Sequence, residues 1–258
     1  MPFAFTFSAI HIITTILLFW AFRRPEEIIV PGRKKTVVLF IALFYIVLAL
    51  MPFLEGKGEG LYNFFVAYPL LYAVVFRSSV KRIFQPHASK WFFLFSIIFL
   101  LLWIEEIPLA VSYVIDGVGE YQNWISVWRH LVSYAGFYMG LALTTVLFFR
   151  RWNYSPAQIF TVGGLWGLVI EQNFLGPQLL FSGAVLEFIA FASFIFPTYG
   201  LYLIGPYVLF YEEFKNEKPK IKWQLAFLFI GVFTLPLAMW FLFSALLKLV
   251  GAEVSGVI

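Results

Sequence analysis

Residues 3–22 read FAFTFSAIHIITTILLFWAF and are followed directly by Arg23-Arg24. At ~1.5 Å of rise per residue such a run covers ~30 Å, the hydrocarbon thickness of a bilayer. No basic residue precedes the run and no small-residue cleavage site follows it, so it is expected to be a retained first span and not a signal peptide. Runs of the same kind recur near 36–54, 61–77, 91–115, 124–149, 157–175, 178–212 and 224–249. The stretch 178–212 exceeds one crossing and contains Pro197, Gly200, Gly205 and Pro206. That composition predicts a kinked or broken helix, or a re-entrant pair.

Of the 258 residues, 62% are hydrophobic and 12% charged, which leaves no stretch able to build a soluble core. The expected fold class is all-α: a polytopic transmembrane helical bundle of about eight spans. It is read as one integral membrane domain over 1–258, placed in the cell membrane. Cysteine is absent, which excludes disulfides, thiolate catalysis, Cys-ligated zinc and iron–sulfur clusters. Net charge is +4, but the basic residues lie in short loops and not in one patch, which argues against nucleic acid as a partner.

Arg23, Arg24, Arg33, Lys34 and Lys35 follow the first run, and Arg77, Lys81, Arg82 and Lys90 follow the third. Arg150 and Arg151 follow the fifth, and Lys215, Lys218, Lys220 and Lys222 the seventh. Basic residues in alternate loops place those loops in the cytoplasm. Both termini then face outward, together with Glu55, Glu59, Asp116, Glu120 and Glu253.

Ionisable residues inside spans cost roughly 2.5–3.5 kcal/mol each on insertion scales, so they are read first as functional. Glu105 and Glu106 lie ~22 Å up the fourth span and Glu171 equally far up the sixth. Arg129 and His130 sit some 8–9 Å below the outer start of the fifth, and Glu187 ~14 Å below that of the seventh. Asn173 and Gln178 are expected at the turn between the sixth and seventh. If these groups converge they form an acidic cavity. Its carboxylates can share a proton, bind a cation or metal with His130, or activate water. The structural alternative is that Arg129 neutralises one carboxylate and the others reach the interface. Glu105 and Glu106 are ~100° apart on a helix, so both face one site only if the helix is distorted, for which Pro108 is a candidate.

His11, near Thr14 and Thr15, fits an interhelical hydrogen bond, and His87 in a basic loop is expected to be solvated. There is no His-x-x-x-His spacing for a metal and no G-x-S-x-G elbow around Ser182. No cofactor is indicated. The abundant rings suit interfacial belts and lipid contact, or the lining of a cavity for an apolar or cationic ligand. Leu102-Trp103-Ile104-Glu105-Glu106 and Leu168-Val169-Ile170-Glu171-Gln172 echo one another, as the halves of a duplicated bundle do.

Trp152-x-Tyr154, Ile159, Gly167 and Ile170-Glu171-Gln172-x-Phe174 resemble the second-half signature of membrane lycopene cyclases, W-x-Y followed by P-[IV]-E-E-x-x-F. In that family the carboxylates are implicated in protonating an isoprenoid double bond. The likeness spans about 25 residues; Val169 stands in place of the family's proline and Gln172 in place of its second glutamate. Glu105-Glu106 with His130 also resembles the start of the CAAX-type intramembrane protease pattern. That pattern's arginine four residues on is replaced by Ala110, and no later histidine follows. The resulting expectation is a membrane-embedded enzyme using Glu105, Glu106, His130 and Glu171 as acid/base residues on a lipid or isoprenoid. Arg129, Asn173, Gln178 and Glu187 would line its binding site. The alternatives are a cation or proton transporter and a structural subunit of a membrane complex.

Overall fold

The computed structural model describes residues 2–24, 26–56, 61, 63–84, 111, 114–115, 124–209 and 222–250. Among these there is no β-strand. The helices are α1 (Pro2–Phe22), α2 (Glu26–Ile29), α3 (Arg33–Leu54), α4 (Phe64–Val74) and α5 (Arg77–Phe84), then α6 (Trp124–Arg151), α7 (Pro156–Phe181), α8 (Val185–Leu209) and α9 (Gln224–Leu249). Segments Arg33–Pro52, Leu131–Arg151, Val185–Gly205 and Gln224–Leu249, of 20, 21, 21 and 26 residues, are long and apolar enough to cross a membrane. Ser8–Phe22 is a shorter apolar helix. The run expected at 91–115 lies largely outside the described residues, and 61–77 is covered mainly by the eleven-residue α4.

The long apolar stretch after residue 178 divides differently from the sequence expectation. α7 continues to Phe181, a turn occupies Ser182–Ala184 with Gly183 at φ 77°, and α8 begins at Val185. The non-helical backbone falls earlier, at Glu171–Phe174 inside α7.

Contacts group the chain into two compact units. The first comprises Met1–Phe44, Val66–Lys81 and Asn153–Lys220; the second comprises Tyr45–Phe65, Arg82–Trp152 and Ile221–Ile258. In the first, α7 packs antiparallel to α8, and α1 lies against both. In lipid there is no hydrophobic drive between helices, so close contact needs small residues. A β-carbon at Gly163 would stand 2.5 Å from the Tyr199 carbonyl oxygen, and one at Gly164 would stand 2.7 Å from the Phe196 ring. Phe160 fills the corresponding space at Gly200.

The second unit uses the same device. Gly136 and Gly140 of α6 meet the α9 backbone at Met239 and at Leu235-Pro236, and Gly231 of α9 admits the Phe148 ring. The Thr144 hydroxyl donates across the pair to the Gly231 carbonyl at 3.2 Å. Trp152 stacks on Phe227 and Tyr134 on Trp240 at the two ends of the contact.

Candidate functional site

α7 starts with a complete cap. Ser155 Oγ accepts from the Gln158 N–H at 3.2 Å, Gln158 Oε1 accepts from the Ser155 N–H at 2.9 Å, and Pro156 fills the first helical position, where a missing N–H costs nothing. The helix then runs regularly to Ile170. Glu171 turns extended (φ −64°, ψ 142°), and Gln172, Asn173 and Phe174 follow with φ of 47°, 56° and 65°. Three consecutive non-glycine residues in the left-handed region cost roughly 1–2 kcal/mol each.

The sequence just beyond accounts for the break. Pro177 has no N–H to offer the carbonyl of Asn173 four residues back, so a continuous helix would leave that oxygen unsatisfied. The Gln178 side-chain amide donates to it instead, at 2.9 Å. Gly176 permits the return: a β-carbon there would lie 2.1 Å from the Leu168 carbonyl oxygen. The carbonyl freed at the break is thus satisfied by the Gln178 side chain.

The break presents Glu171 to α8. The Tyr199 hydroxyl donates a hydrogen bond to Glu171 Oε2. Tyr199 is 8% exposed, meets Trp166 edge-on at 5.4 Å between centroids, and stacks on Tyr202 at 5.8 Å. Its ring stands where a side chain at residue 167 would be, because a β-carbon on Gly167 would lie 2.3 Å from Tyr199 Cγ. A partly buried carboxyl is thus held by a phenol that three elements of packing immobilise. Such a pair can hold or move a proton at Oε2 without large motion.

α1 and α8 border an open apolar groove of ≈ 340 Å³ lined by Ile12, Ile16, Phe188, Ile189, Ala192 and Phe196, among others; neither Glu171 nor Tyr199 lines it. Phe196, which packs on Gly164, lies one turn before Tyr199 on α8.

The other expected site residues distribute as follows. Asn173 sits in the break and Gln178 in the following helical turn; neither is in the connection to α8, which corrects the expected inter-span turn. Glu187 is exposed in the first turn of α8, only ~3 Å along the helix from Val185 and not ~14 Å deep. There a carboxylate complements the helix dipole. Arg129 is exposed on the first turns of α6, in the second unit, and its carbonyl accepts from Ser133 Oγ at 2.8 Å. His130 lies on the same helix. Glu105 and Glu106 lie outside the described residues.

Two residues of the aromatic motif at 152–154 are packing elements. Trp152 carries the Arg151 guanidinium 5.6 Å above its ring. Tyr154 is 2% exposed, its carbonyl accepts from the Tyr207 hydroxyl at 2.8 Å, and burial pushes its phenol up, so it stays protonated. Tyr199 and the Gly176-Pro177 pair are the features of this site that the sequence reading missed, and Gln178 was named there only as a binding residue. The signal for the second was a proline following glycine, with an amide immediately after it.

Searches of family models, curated proteins and solved structures give no match to this chain.

Proposed function

We propose that this chain is a multi-span membrane enzyme that performs carboxylate acid/base chemistry on a hydrophobic substrate of lipid or isoprenoid type, with Glu171 as an acid/base residue. One observation carries the reading: Glu171 sits at a strained break in a helix, and its carboxyl is bound by the buried hydroxyl of Tyr199. Three left-handed residues beside one carboxylate are backbone strain of the kind that clusters at functional sites. The apolar groove between α1 and α8, whose Phe196 lies one turn before Tyr199, supports a hydrophobic substrate, and the resemblance of 152–174 to membrane lycopene cyclases supports protonation of a carbon–carbon double bond. The proposal keeps Glu105, Glu106 and His130 as further acid/base residues, and Arg129, Asn173, Gln178 and Glu187 as binding residues. It also keeps about eight spans, outward-facing termini and the cell membrane as the location.

The test is expression of the wild type and of Glu171→Gln in a host that accumulates acyclic isoprenoids, with products identified by mass spectrometry. A rearranged or cyclised product made only by the wild type supports the enzyme. Identical lipid profiles from the two, with both proteins folded in the membrane, contradict it.

A second reading rests on the same break. Discontinuous helices at mid-membrane are the ion-binding elements of many transporters. Under it, Glu171 binds a cation or proton, and proteoliposomes show a flux that Glu171→Gln abolishes. A structural-subunit role is the remaining alternative, and it predicts neither activity.

A further inference from the structure

The connection from α1 to α3 is held by one ion network. Glu27 accepts from Arg24 at 3.2 Å and pairs with Lys34 at 3.3 Å. The Lys34 ammonium, only 9% exposed, also lies 5.1 Å from the Trp20 ring centroid. Ile28, fully buried, anchors the short α2 between them. The ends of α1, α2 and α3 are therefore gathered at one place. Residues 20–36 carry five basic and two acidic side chains. Glu27 engages Arg24 and Lys34, while Arg23, Arg33 and Lys35, each adjacent in sequence to that network, pair with no carboxylate whose side chain is described. Arg23 and Arg33 are exposed and Lys35 is partly exposed. Trp20 is a ring of the kind that settles at headgroup level, which puts these three cations at the depth of lipid phosphates.

We propose that the α1–α3 connection is a docking surface for anionic lipid headgroups, in which Arg23, Arg33 and Lys35 bind the phosphodiester and the Trp20–Lys34–Glu27 network keeps the three cations together. The surface and the headgroup are complementary in charge. The net charge of residues 20–36 is positive, it is gathered by the pair between the buried Lys34 side chain and the exposed Glu27, and the nearest anions to a membrane helix end are phospholipid headgroups. A network that already satisfies Arg24 and Lys34 leaves the flanking cations to an external anion. The inference rests on α1 and α3 crossing the membrane, which resistance to alkaline extraction tests separately, and it does not depend on the chemistry of Glu171.

The experiment places the full chain in nanodiscs of equimolar phosphatidylcholine and phosphatidylglycerol and measures the lipids retained on the protein by native mass spectrometry. The wild type is expected to retain phosphatidylglycerol in excess of the nanodisc ratio. The triple variant Arg23→Gln, Arg33→Gln, Lys35→Gln is expected to lose that enrichment by about tenfold. A charge-keeping variant, Arg23→Lys with Arg33→Lys, and the distant Lys248→Gln should both retain it. No enrichment in the wild type, an unchanged enrichment in the triple variant, or an equal loss in Lys248→Gln would each overturn the proposal.

Discussion

The ring of Tyr199 occupies the volume that a side chain at Gly167 would need, with Cγ 2.3 Å from the β-carbon position, and this places the phenol hydroxyl on Glu171. The absence of a methyl group on one helix therefore positions the acid on the same helix, through a ring on its neighbour.

Gly167→Ala forces that ring to move and overpacks the α7–α8 contact. The expected cost is ~1–3 kcal/mol, measured by thermal unfolding in detergent. The Glu171–Tyr199 hydrogen bond should be lost with it, so activity should fall in this variant more than in one of equal stability loss in the second unit, such as Gly231→Ala.

Tyr199→Phe keeps the ring and removes the donor. Hydrogen bonds to charged groups contribute ~1.5–3 kcal/mol, so stability should fall within that range or below it if Glu171 is neutral. Any activity assigned to Glu171 should fall with kcat reduced and KM little changed, because the phenol touches the acid and not the groove.

Gln172 is exposed with φ 47°, where glycine is unstrained and a β-branched residue is not. Gln172→Gly relieves ~1–2 kcal/mol of strain against ~0.5–1 kcal/mol of chain entropy, so stability should be unchanged or slightly raised. Gln172→Val should destabilise. A continuous helix through 171–174 would give the opposite order, with Gly the worse substitution.

Glu27 sets a pH dependence. The hydrogen bond from Arg24, then that from Lys34, and the charges of both hold its carboxyl below the usual glutamate range. A carboxyl whose folded value is depressed contributes stability that is present above its unfolded value of ~4.3 and is lost as pH falls through the folded value. The melting temperature should therefore drop below about pH 4 in the wild type, and that part of the drop should be missing in Glu27→Gln.

The helix positions were largely legible because apolar runs between charges need only composition to be seen. The run at 224–249 coincides with α9, and those at 3–22 and 124–149 lie within two residues of α1 and α6. The end of α7 was not legible. Asn173, Gln178 and the intervening glycine and proline read as a loop, yet the amide of Gln178 satisfies the Asn173 carbonyl and lets helix resume to Phe181. The break expected at Pro197 and Gly200 was misplaced for the converse reason, since Gly200 serves there to admit Phe160. Depth alone identified Glu171 as unusual for a span, but an apolar pattern does not tell which tyrosine of the next helix will face it. Only the register set by Gly163, Gly164 and Gly167 against Phe196, Tyr199 and Gly200 selects Tyr199.

Under the proposed function, Glu171, held by Tyr199, is a working acid/base group. Infrared difference spectroscopy of the protein in lipid, titrated across pH for the wild type, Glu171→Gln and Tyr199→Phe, tests it most directly. A titrating carboxyl band is expected in the wild type, absent in Glu171→Gln and shifted in Tyr199→Phe. If no titrating band distinguishes the wild type from Glu171→Gln, Glu171 is not a working acid/base group, and if Tyr199→Phe leaves such a band where it was, Tyr199 does not hold it.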